Sequence, residues 1–190
     1  MMTNIFMRQL VVLHFFSLFY FIPAAFAEEP LGDNTKPGIK ELMVLSPLVG
    51  HWVAETIGKP SELNPKGFKL QDQWVADWVL DRNFLRVEGQ SQSEHRIVKY
   101  TWMYTYDQRK KKYNAWYFDS LGTAGENEGN WNTESKTMTW VGLGAPKNYT
   151  LSITEQFVDD DHLQFTMVGK FDDGRVVVDL SGTAVKERTK

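Results

Sequence analysis

Between Lys99 and Asp119 the chain reads KYTWMYTYDQRKKKYNAWYFD, with eight aromatic residues in twenty-one. Tyr100, Trp102, Tyr104 and Tyr106 occupy every second position. Successive side chains of a β-strand point to opposite faces, so these four rings share one face of a strand. Thr101, Met103 and Thr105 take the other face. A polar run from Gln108 to Lys112 follows, and then alternation resumes: Tyr113, Ala115 and Tyr117 against Asn114, Trp116 and Phe118. Two alternating runs joined by a short polar loop make a β-hairpin. Its cationic tip reads as a solvated turn whose charge discourages edge pairing.

The same grammar repeats along the chain. Val49 to Thr56 holds a Gly-x-Trp. Lys69 to Leu80 alternates Leu70, Asp72, Trp74, Ala76, Trp78 and Leu80. Asp81-Arg82-Asn83 turns the chain into Phe84 to Gln92. After the aromatic hairpin, Gly122 to Trp131 is loop and then strand. Thr137 to Leu143, Tyr149 to Val158, Leu163 to Met167 and Arg175 to Val185 follow, separated by TESK, DDDH and DDGR turns. Only Gly38 to Ser46 has near-helical spacing, with Pro47 expected to stop it. About ten strands with short turns and no intervening helix predict an all-β antiparallel meander. Such a meander removes its edges by closing into a barrel, capped by the one short N-terminal helix.

The first 27 residues read as a signal peptide. Arg8 precedes an apolar run from Leu10 to Ile22, Pro23 ends it, and Ala25-Phe26-Ala27 offers a cleavage site. The run is shorter than the roughly 20 residues of a spanning helix. Removing 27 of the 190 residues leaves 163, which suits a flexible leader over 28–37 and one barrel domain over 38–190. The remaining 20 basic and 24 acidic residues leave no basic excess for nucleic acid. Export without any cysteine suits a bacterial secreted or periplasmic protein, with no transmembrane span in the mature chain.

Five blocks carry a family resemblance: LSPLVGHWVAE, WVLDRNFLRVEG, YTYDQRKKKYNAWYFDSLGT, EGNWNTESKTMTW and VDDDHLQFTMV with its following DDGR. They resemble the bacterial family catalogued as domain of unknown function 1579. The shared positions are Val49, Gly50 and Trp52; Trp78, Phe84 and Leu85; and Tyr106, Asp107, Tyr113, Trp116 and Asp119. Asn83 departs from the pattern by splitting an Arg-Phe pair. The resemblance implies a lipocalin-like barrel and no activity.

Recognisable catalytic chemistry is absent from the sequence. His51, His95 and His162 show no metal-binding spacing, and no nucleophile elbow or phosphate loop occurs. No cofactor is implied. The seven tryptophans remain: they either fill the barrel or line a cavity for a small, largely apolar ligand. The candidate lining comprises Trp74, Trp78, Tyr100, Trp102, Tyr104 and Trp116 (or its neighbour Tyr117). Asp72 shares the face of Trp74, and Arg96 that of Tyr100. A charge among buried rings costs several kcal/mol unless it is paired or bound. Asp72, Arg96 and Glu155 are therefore expected at a rim, within reach of water. Two other readings stay open: an enzyme using inward carboxylates and tyrosines, and a haem barrel with His51 as ligand.

Overall fold

The computed structural model describes residues 36–62 and 64–187. The segment read as signal peptide, and nearly all of the leader, lie outside the described residues. A 3₁₀ helix spans Lys40–Leu48. Ten strands follow: β1 Gly50–Gly58, β2 Phe68–Val79, β3 Phe84–Gln92, β4 Ile97–Asp107, β5 Lys112–Asp119, β6 Ala124–Asn132, β7 Thr137–Leu143, β8 Tyr149–Phe157, β9 His162–Phe171 and β10 Val176–Glu187. Each pairs antiparallel with its sequence neighbours, and β1 closes on β10 to complete the barrel. Closure leaves no strand edge unpaired, as the meander required. Among the described residues no helix is long and apolar enough to cross a membrane.

Side-chain carboxylates and amides set most of the turns. Asp107 accepts the backbone N–H groups of Arg109 and Lys110 at 2.8 and 3.1 Å. Asn132, Asp159 and Asp173 do the same for Glu134, Asp161 and Arg175. Short polar side chains mimic a backbone turn in this way, which is why the acidic turn sequences are found where they are. The β2–β3 turn is different: Leu80, Asp81 and Arg82 all have positive φ, at 52, 54 and 63°. Asn83 closes this turn, its N–H donating to Leu80 O at 3.1 Å.

The helix plugs one end of the barrel. Leu42, Leu45 and Leu48 face inward and are at most 3 % exposed. The Tyr113 hydroxyl donates to Glu41 O at 2.9 Å, and the Trp52 indole N–H to Leu48 O at 2.8 Å. Gly38 N–H bonds Arg82 O, tying the approach to the helix to the β2–β3 turn. Contrary to expectation, Pro47 does not stop the helix but lies within it. A 3₁₀ turn forfeits a single bond to a proline's missing N–H, and Val49 N–H still reaches Ser46 O at 3.1 Å.

Register assigns the inner wall. Trp52, Trp74, Gly89, Tyr100 and Asp119 lie in one row of cross-strand partners. Above the plug this interior is solid: Trp52, Leu85, Ala115, Met138 and Trp140 are at most 1 % exposed. Towards the other end the inward residues Leu70, Trp74, Tyr100, Trp102, Tyr117, Leu151, Met167 and Leu180 keep partial exposure. The core is therefore graded along the barrel axis, packed at the helix and looser at the opposite mouth.

Candidate functional site

The inner face of β4 and β5 carries a continuous run of rings from the open mouth towards the packed floor. Tyr100 lies 6.3 Å from Tyr117, Tyr117 4.8 Å from Trp102, Trp102 5.8 Å from Tyr104, and Tyr104 5.3 Å from Trp140. These separations are those of favourable offset and tilted ring pairs. On the mouth side the Tyr117 hydroxyl donates to Asp119 at 3.0 Å. On the floor side the Trp140 indole N–H donates to Glu155 at 2.8 Å, and the Tyr104 hydroxyl lies 3.5 Å from the same carboxyl. A chain of aromatic contacts thus links a carboxylate at the rim to one deep in the barrel.

Inward glycines make room for such rings. Gly89 faces Tyr100, Gly129 faces Trp140, and Gly182 faces Phe165, each as the direct cross-strand partner. A Cβ on Gly129 would lie 2.4 Å from the Trp140 ring, so the indole rests flat on bare backbone. Strand glycines of this kind mark close approach and wall curvature. Gly125, inward on β6 opposite Tyr117, is different: a Cβ there would meet nothing within 4 Å. Gly125 is itself exposed, at the open mouth of the barrel.

Three carboxyl groups face inward. Asp72 on β2 is 9 % exposed and accepts the Thr56 hydroxyl at 2.5 Å; the Ser91 hydroxyl also bonds it. Asp119 accepts backbone N–H groups from Leu121 and Thr123 at 2.9 and 3.0 Å. Partial desolvation raises its pKa, but the Thr123 and Leu121 N–H groups and the Tyr117 hydroxyl outweigh it and hold the carboxyl below its usual range. Burial pushes Glu155 the other way, upward, against the opposing hydrogen bonds of Trp140 and Tyr104. The inner phenols follow the same physics. Burial foremost, and then the charge of Asp72, raises Tyr100; burial, and then Asp119, raises Tyr117. Tyr104 is held well above its usual value by burial and by Glu155, and Tyr113 is pushed up to about 12, mainly by burial.

Of the residues singled out by sequence, Asp72, Trp74, Trp78, Tyr100, Trp102 and Tyr104 share the inner face. Two do not. Trp116 is the partner of Met103, on the outer face, and Tyr117 takes the inner position. Arg96 lies in the exposed β3–β4 turn, before β4 begins, with its N–H bonded to Ser93 Oγ at 3.1 Å. The alternation of β4 does not extend back through that turn. Trp78, next to the last residue of β2, sits by the plugged end rather than along the open part. The expected rim placement also fails for Asp72, which is buried and satisfied by hydroxyls, and for Glu155, whose partners lie in the interior. His51 is exposed on the outer face, paired with Val75 and Glu187, so it cannot ligate a group inside the barrel. His95 is exposed in a turn, and His162 is bound to Asp159 at 2.8 Å outside the wall. Sequence reasoning missed Thr56, Ser91, Asn127 and Trp140 as inner-wall residues. Their only signal was strand parity, which register alone converts into position.

Two open grooves also flank Gly89. One of about 430 Å³ touches Glu88, Lys99, Thr101 and Phe118 with the edge of Tyr100. The other, about 330 Å³, touches His51, Gln73, Val75 and Glu187. Both are open and mix outward side chains with inward ones, Tyr100 and Asp119 in the first and Trp52 and Trp74 in the second.

Comparison with solved structures supports the architecture. The crystal structure of Rv2717c from M. tuberculosis superposes with a TM-score of 0.61 at 15% identity, over 79% of this chain and 99% of that one. The S-type phycobiliprotein lyase CPES from Guillardia theta gives a TM-score of 0.54 at 14% identity, over 76% and 90% of the two chains. At such identity these likenesses establish the fold alone. No curated protein matches the sequence. Residues 39–183 match the family described as Protein of unknown function (DUF1579), and the chain belongs to that family.

Proposed function

We propose that the barrel is a container for a small, largely apolar molecule, which enters at the mouth opposite the 3₁₀ helix and lies against the Tyr100–Tyr117–Trp102 wall. One observation carries this reading. Glu155 is held by interior partners near the floor, and its acidity is shifted by burial, yet the residue keeps partial accessibility. Its neighbours in register, Met138 and Phe165, put it on the inner face, as one of the few fixed polar groups that a contained ligand would meet. The exposed Gly125 and the partly exposed rings of Tyr100, Trp102 and Tyr117 support a ligand space nearer the mouth. Apolar concavities with a few fixed polar groups are the usual form of a small-molecule site.

Titration with the neutral fluorophore N-phenyl-1-naphthylamine tests the reading. Saturable one-to-one binding is expected. Met167→Trp, on the loosely packed inner wall, should abolish it while leaving urea stability close to wild type. In a filled barrel the same enlargement costs about 1–3 kcal/mol through overpacking. No saturable binding by wild type, together with such a loss of stability, contradicts the container.

A further inference from the structure

Building on the container reading, we infer that the ligand is an organic cation, its charged head seated between Asp72 and Asp119 against the faces of Tyr100 and Tyr117, with its apolar part extending down the wall past Trp102. The charge census of the inner face points this way. The inward-facing charged residues of the ten strands are Asp72, Asp119, Glu155 and Lys186. Lys186 stands apart at the plugged end: it pairs with Trp52 and lies 5.1 Å over that ring. The open half of the barrel therefore holds acidic groups and no inward cation among the described residues.

Asp72 and Asp119 belong to one cluster. Asp119 is the register partner of Tyr100 and accepts the Tyr117 hydroxyl, and Asp72 accepts the hydroxyl of Ser91, the next inward residue after Gly89, which is the other register partner of Tyr100. Aromatic faces carry the negative part of the ring quadrupole, so rings and carboxylates together favour a cation and disfavour an anion. Two cations of the rim loops are engaged elsewhere. Lys59 pairs with Asp179 at 3.0 Å, and Arg175 with Asp173 at 2.9 Å and Glu62 at 3.4 Å.

A second, independent feature agrees. Asn127 is 2 % exposed and inward on β6, and its Oδ1 has no hydrogen-bond partner. A buried acceptor left unpaired is costly, and a donor on a ligand would satisfy it. Among the described residues two other buried side-chain polar atoms lack partners, Trp78 Nε1 and Ser46 Oγ, but Trp78 lies at the plugged end and Ser46 in the helix itself. The unpaired atom of the open half is an acceptor, which matches a ligand bearing N–H groups on its cationic part.

A matched set of probes on one skeleton tests the assignment: neutral N-phenyl-1-naphthylamine, its 8-sulfonate, and a derivative bearing a primary ammoniomethyl group. Tryptophan quenching of the full mature protein gives each affinity. The cation should bind at least about tenfold more tightly than the neutral parent, and the sulfonate most weakly; a single desolvated cation–ring contact of about 2 kcal/mol already exceeds tenfold. Asp119→Asn and Asp72→Asn should each shrink the cation-to-neutral ratio several-fold. The Asp119 variant keeps the test valid if loss of the Thr56 and Ser91 bonds unfolds the Asp72 variant. If the neutral parent binds as tightly as the cation, the cation assignment is overturned while the container stands. If none of the three saturates, the container reading fails and the assignment with it.

Discussion

Trp102 and Trp140 both belong to the inner aromatic run, but truncating them should have different consequences. Trp140 is 1 % exposed, while Trp102 keeps partial exposure. A fully buried tryptophan removes on the order of 150–250 Å² from water, about 4–6 kcal/mol at ~25 cal/mol/Å². Trp102 is at least about two-thirds buried, which gives roughly 3–5 kcal/mol. Trp140→Ala also removes the indole N–H from Glu155, adding about 1–3 kcal/mol for the acceptor left behind. Trp102 makes two ring contacts against one for Trp140, which narrows the gap by about 1 kcal/mol. Trp140→Ala should therefore be the more damaging by roughly 1–3 kcal/mol. Urea unfolding followed by far-ultraviolet circular dichroism measures both, and equal slopes would show that the comparison is of like states. Costs within about 1 kcal/mol of each other would mean that Trp102 is packed as tightly as Trp140, and the graded core would be refuted.

Three further outcomes follow from the same geometry. The folded pKa of Glu155 is raised, so its contribution is fully present below the usual glutamate value of about 4.3 and is lost as pH rises through the folded value. Stability of Glu155→Gln relative to wild type should accordingly climb between pH 4 and 8, and a flat or falling difference in urea midpoints would contradict the burial argument. Gly129→Ala should cost about 1–3 kcal/mol by pushing on the Trp140 ring, whereas Gly125→Ala should stay within about 0.5 kcal/mol; similar costs would refute the ring-on-glycine packing. We propose export with cleavage after Ala27, so N-terminal sequencing of protein from its native host should begin at Glu28, and an intact Met1 would contradict this.

Much of the fold could be read from the chain because a meander is local. Every strand pairs with its neighbour in sequence, so period-two alternation and the acidic turns were enough to predict ten antiparallel strands and their closure. The inner wall was harder. Tyr113, Ala115 and Tyr117 alternate as cleanly as Asn114, Trp116 and Phe118, and nothing local tells which set faces in. The β4–β5 turn decides it by pairing Trp102 with Tyr117. Arg96 shares parity with Tyr100 but stands outside the strand, because Ser93 caps the turn there. Depth was harder still. Glu155 was expected at a rim because a charge among buried rings is costly, but its partners hold it in the interior, where the indole N–H of Trp140 bonds it. The pairing of Gly129 with Trp140 needs the register of two strands that the sequence shows only as a glycine and a tryptophan eleven positions apart.

The central claim is that the barrel encloses a ligand space open at the mouth away from the 3₁₀ helix. A crystal structure with bound N-phenyl-1-naphthylamine tests it most directly. The probe should lie inside the barrel, against Trp102 and Tyr117, with its nearest acidic neighbours Asp72 and Asp119. Density only in the outer grooves beside Gly89, with the inner rings closed on one another, would contradict the claim.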